Sequence, residues 1–137
     1  MEDEVSSLSA ILLDGDYYEF IHAGKREITG LPAIGHECLI PLKARAWLDL
    51  SERRQSGAII DEKDLRKHKN DVIRLYQLLS IHKRVALSET IKQDMQKFIE
   101  CMKKGESIDL KNLGLKNTHL DEVLNNLNLI YGLSLST

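Results

Sequence analysis

Apolar residues crowd together at the front of the chain and spread to helical spacing after Gly35. "VSSLSAILL" closes in a continuous apolar run of the kind a buried strand carries. "DGDYYEFIHAG" follows, where Asp14 or Asp16 is placed to cap a short helix. "KREITGLPAIG" holds two short extended pieces around Gly30, the pattern of a hairpin or tight turn. Residues 4–35 therefore read as strand-rich, and residues 36–137 as helical. Pro41 is tolerated in a first helical turn, so a long helix is predicted from about Pro41 to Gln55, stopping before Gly57. Asp61 caps a second helix reaching about Ser80, and Ser88 a third that ends in lysines before Gly105. Thr118 and Asp121 open a last one, "HLDEVLNNLNLIYG". The predicted class is α+β: a small sheet, then a bundle of about four helices, in a single module.

Two of these helices carry residues that packing alone does not ask for. On the first, Leu39, Leu42, Ala46, Trp47 and Leu50 project to one apolar face, and Lys43 stands in its middle. An unpaired ammonium is costly to bury. Three readings meet that cost. The lysine snorkels, with its methylenes packed and its amine in water; it pairs with a carboxylate; or it faces a cleft and meets an anion such as a phosphate. On the second helix Leu65, Val72, Tyr76 and Leu79 make the apolar face. Asp64, His68, Asp71 and Leu75 form an adjoining stripe at spacings of four, three and four. Asp64 with His68 has a spacing that a metal site uses, and equally that of a helix start and a hydrogen-bonded histidine. Asp71 becomes the partner of Lys43 if the two helices pack antiparallel, which a short connection favours. Arg66, Lys67, Lys69 and Arg74 lie away from this stripe and read as a solvated face.

Composition narrows the class further. At 137 residues, 42% hydrophobic and 29% charged, the chain is globular and of one-domain size. A net charge of −2 gives no general pull toward nucleic acid or anionic lipid. Any nucleic-acid binding then falls to Arg66, Lys67, Lys69, Arg74, Lys83 and Arg84, which face different sides. Two cysteines, Cys38 and Cys101, suit a reducing compartment. "MEDEVSSLS" has neither the charge nor the apolar run of a targeting signal, and no apolar stretch spans a bilayer. A cytoplasmic protein is expected. No G-x-S-x-G or C-x-x-C is present. Asp14 and Asp16 form a D-x-D that in some settings holds magnesium, but no glycine–serine turn precedes it, so a turn or cap is expected.

A resemblance adds to this reading. "VSSLSAILLDGDYYEFI", "LIPLKARAWLDLSERRQSG" and "DLRKHKNDVIRL" resemble the C-terminal portion of bacterial AbiEii-type nucleotidyltransferase-like proteins, the toxin side of abortive-infection toxin–antitoxin systems. The likeness covers about residues 4–80, most specifically the K-A-x-A-W-L-D-L and K-H-x-N-D-V-x-R-L helices. It implies a nucleotide cleft lined by Lys43 and Asp71, with magnesium and a nucleoside triphosphate as cofactors of the complete protein. The family's Gly-Gly-Ser turn and metal-binding Asp-x-Asp precede the matched portion. The chain alone is therefore expected to hold no metal or cofactor and to transfer no nucleotide. The implied partners are the missing N-terminal half or an antitoxin. Strand pairing along the edge near "VSSLSAILL" would serve self-association.

Overall fold

A computed structural model of the chain describes residues 15–23, 25–28, 31–104 and 108–133, with the backbone alone at 22, 23, 25–28 and 31–34. Among the described residues there are five helices: α1 (Gly15–Ala23), α2 (His36–Gln55), α3 (Glu62–Tyr76), α4 (Glu89–Lys103) and α5 (Leu120–Ile130). Between α1 and α2, β1 (Lys25–Ile28) and β2 (Leu31–Ile34) run antiparallel as a two-stranded ribbon, with Ile28 opposite Leu31. The architecture is helical, which overturns the α+β expectation. Within the predicted strand-rich region, Gly15–Ala23 is helix, and the ribbon is too narrow to form the sheet layer of an α+β domain. "VSSLSAILL", Asp14 and the edge proposed for strand pairing lie outside the described residues. Asp16 sits in the first turn of α1, where a carboxylate favours a helix start.

The helix ends follow local chemistry. Asp61 caps α3, accepting from the Lys63 N–H at 2.9 Å, and Ser88 caps α4, accepting from the Ile91 N–H at 3.4 Å. The cap of α5 is His119 rather than Thr118, without a side-chain bond. α3 stops at Tyr76, four residues earlier than its pattern suggests, because Leu75–Leu79 tighten into turns. Gly57 and Gly132 close α2 and α5 in the left-handed region, with φ of +102° and +62°. At each, the glycine N–H and the next residue's N–H turn back to the helix's last free carbonyls.

α2 begins at His36, five residues before the predicted start, and this leaves Pro41 inside the helix. Proline has no N–H, so the carbonyl of Glu37, four residues back, loses its helical donor. The Tyr131 hydroxyl replaces it, donating to the Glu37 carbonyl at 2.7 Å. The C-terminal turn of α5 thus completes the first turns of α2.

α2 is the central element and is buried on two sides. Ile40, Ala44, Trp47, Leu48 and Leu50 join α3, α4 and α5 in the larger core, around Val72, Phe98 and Leu127. Trp47 meets Phe98 edge to face, with centroids 5.6 Å apart. Cys38, Leu42 and Ala46 pack instead with Tyr17 and Ile21 of α1 and Ile91 of α4. The single apolar face predicted for this helix is two faces, because the i+4 row Ile40–Ala44–Leu48 is buried as well. α1 is tied in by Asp94 of α4, which accepts from the Tyr17 hydroxyl at 2.8 Å and pairs with Arg45 at 3.3 Å.

Tyr131 is 1% exposed, and burial first, then the neighbouring Cys38 and Glu37, raises its phenol above the ordinary tyrosine range. The folded state therefore keeps this proton at a pH where the unfolded chain releases it. Its contribution is whole below about pH 10 and declines as pH rises above that. Tyr131→Phe is expected to lower unfolding free energy by about 1–2 kcal/mol at neutral pH, because the Glu37 carbonyl loses its donor. The same substitution should flatten the alkaline decline. In a Pro41→Ala background the restored helical N–H serves that carbonyl, and the cost of Tyr131→Phe should fall by at least half. Urea titrations at pH 7 and pH 11 measure all three.

Candidate functional site

α2 and α3 are joined by a six-residue connection and run antiparallel, as their cross-pairs show. Arg54 meets Glu62 at 3.0 Å near the connection, and Lys43 meets Asp71 at 3.1 Å far from it. Lys43 and Asp71, both singled out in the sequence, are thus brought into direct contact. The two side chains are 13% and 19% exposed. Asp71 also takes the Arg74 guanidinium at 3.2 Å, one turn along α3. The carboxylate is bridged between a lysine on the central helix and an arginine at the surface.

The arrangement settles how the lysine is accommodated. Its stem lies among the buried residues of α2, and its ammonium ends on a carboxylate rather than in water or an open cleft. Chemically this is a pin between two helices. Breaking one partner leaves a poorly solvated charge on the other.

Asp64 and His68 fare differently. His68 is 2% exposed and Asp64 stands half-buried one turn before it. Among the described residues no three histidine, cysteine or carboxylate side chains gather as a metal would need. The stripe read along α3 is real as spacing, yet its members part company: His68 enters the interior while Asp71 turns to Lys43. Adding zinc or EDTA is expected to leave the thermal midpoint unmoved. A rise of several degrees with zinc would place a ligand set at these two residues.

A cleft lies beside the pin, toward the connection. It has a volume of about 520 Å³ and is lined by Trp47, Ser51 and Arg54 of α2, by Glu62, Leu65, Arg66, Lys69 and Asn70 of α3, and by Asp109. Neither Lys43 nor Asp71 lines it. Lys69, read from the sequence as solvated, is 7% exposed. Its burial was not legible in α3 alone, because the wall that covers it includes residues from α2. The remaining basic residues are scattered. Arg74 is held by Asp71, Arg84 donates to the Ile81 and Lys83 carbonyls at 2.7 and 2.8 Å, and Lys83 stands 3.9 Å from Glu37. That dispersal does not make the continuous basic face a nucleic-acid duplex needs. Among the described residues no helix is long and apolar enough to cross a membrane.

Comparison with known protein families, with curated proteins and with solved structures finds no match to this chain.

Proposed function

We propose that this chain is the helical portion of a nucleotidyltransferase-like protein of the AbiEii type, acting in the cytoplasm. In this reading its Lys43–Asp71 pair serves by fixing α2 against α3. The observation that carries the reading is the contact itself: the lysine and the aspartate at the centre of the two family-like helices meet at 3.1 Å. The two free thiols, Cys38 buried and Cys101 partly so, support a reducing compartment. Magnesium and a nucleoside triphosphate would belong to the catalytic half and not to these residues.

The reading makes Lys43 a stability residue. Lys43→Met should lower unfolding free energy by about 1–3 kcal/mol, short of the 3–5 of a fully buried pair because both groups keep some solvent. Asp71→Leu in the same chain should recover part of that loss, since it removes a part-buried carboxylate left with only the exposed Arg74 as partner. Any affinity for a nucleoside triphosphate, read by calorimetry, should be the same in wild type and Lys43→Met. Unchanged stability together with lost triphosphate binding would return Lys43 to an anion-contacting role and sink the proposal.

A second reading, a helical module that binds a protein, is favoured by one feature of the surface. Leu78, Ile81 and Leu129 are 60%, 53% and 56% exposed. They lie on segments that two hydrogen bonds bring together, Asn126 to the Tyr76 hydroxyl and the Val85 N–H to the Ile130 carbonyl, both 2.7 Å. Large exposed apolar groups gathered in this way mark contact surfaces. If a second copy of the chain covers them, light scattering should show mass rising toward a dimer with concentration. Leu78→Asp with Leu129→Asp should then hold it monomeric without lowering the thermal midpoint. A wild-type chain that stays monomeric at about 1 mM, the weak end of specific association, rules out self-association.

A further inference from the structure

We infer that the cleft between α2 and α3 binds a small phosphate-bearing molecule, and that Arg54 and Arg66 are its recognition residues. The inference rests on the cleft alone and not on the family reading above. At about 520 Å³ the space suits a small ligand. Helical spacing gathers its lining: Trp47, Ser51 and Arg54 come from one side of α2, and Arg66, Lys69 and Asn70 from one side of α3. Three cations, an amide and a hydroxyl therefore converge on one concavity. Lys69 is already engaged within the fold, so it supplies field rather than a hydrogen bond to the ligand.

Two carboxylates share the cleft, and each is occupied. Asp109 accepts from the Asn112 backbone and side chain. Glu62 accepts from Arg54 at 3.0 Å, in a pair whose side chains are 49% and 62% exposed. Such a pair is weakly held, and a phosphate bearing more than one negative charge competes well with a single carboxylate for the guanidinium. Among the described residues no carboxylate pairs with Arg66. Arginine, with its planar donors, is the side chain best matched to phosphate oxygens. A polymer is disfavoured as the ligand. Of the basic residues outside the cleft, Arg74 and Arg84 are held by other groups.

The chain has one tryptophan, and it lines this cleft, so its fluorescence reports occupancy directly. Titration with inorganic pyrophosphate at low salt should change Trp47 emission saturably. Arg66→Ala and Arg54→Ala should each weaken binding on the order of tenfold, the loss of one charge-assisted contact. Both side chains stand at the surface, so their removal leaves the core intact. Raising salt to about 0.3 M should weaken binding further, as the Debye length contracts. No saturable change up to about 10 mM pyrophosphate would overturn the inference. So would unchanged affinity in the Arg54→Ala, Arg66→Ala double variant. A short single-stranded RNA that binds more tightly than pyrophosphate would overturn the small-molecule assignment.

Discussion

The hydrogen bond from Tyr131 to the Glu37 carbonyl conditions much of the rest. Pro41 removes a donor from the central helix close to its start, and a helix missing a bond there is prone to begin later. The phenol supplies the missing donor from 94 residues away. It can do so because Gly132 turns the end of α5 back on itself, with the Leu133 N–H reaching the Asn128 carbonyl at 2.9 Å. The end of the last helix therefore completes the first turns of α2. Those turns carry Cys38 and Ile40, one in each core, so the bond from Tyr131 supports a segment that packs on both sides of α2.

A helix buried on two sides has little perimeter left for charge. On α2 four charged positions find partners on neighbouring helices, while Asp49 and Arg53 pair within α2 itself. Lys43 meets Asp71 of α3; Arg45 meets Asp94 of α4; Glu52 takes Lys97 of α4 at 3.1 Å; Arg54 meets Glu62. These pairs add modestly to stability where they are exposed. Their stronger effect is on register. Sliding α3 along α2 by one turn would strand Lys43 and Asp71 at partly buried sites, which costs more than any one apolar contact there.

Local signals and long-range ones were unequally legible. Asp61, Ser88 and Gly57 each act through neighbours within a few residues, and their roles were readable from spacing alone. The Lys43–Asp71 contact was readable too, because a short connection between two helices leaves few other packings. The start of α2 was not. Its first turns include a carbonyl that Pro41 leaves without a helical donor and Tyr131 serves, and nothing near Pro41 announces a phenol from the far end of the chain. The burial of Lys69 was missed for a related reason: helical projection of α3 shows which residues share a side, but not what covers that side. "DGDYYEFIHAG" reads correctly as a short helix, yet the apolar run before it groups it with strands and sets the class for the whole region.

The two lysines of the α2–α3 seam separate structural from ligand-facing charge. Lys43 stands where both helices are continuous, and the nearest anion is fixed opposite it; nothing else has to arrive for its charge to be balanced. Lys69 stands where the wall opens into a cleft that also holds two arginines. Lys43 opens the K-A-x-A-W-L-D-L pattern, whereas Lys69 falls at an open position of K-H-x-N-D-V-x-R-L, so the motif assigns Lys69 no role. What distinguishes them is the space beside the charge. A lysine that meets a ligand needs a volume for that ligand to enter, and the Asp71 carboxylate fills the corresponding place at Lys43. By that criterion the seam's anion-facing chemistry belongs at the Arg54–Arg66 end, one helical turn and more from the residues that first draw the eye.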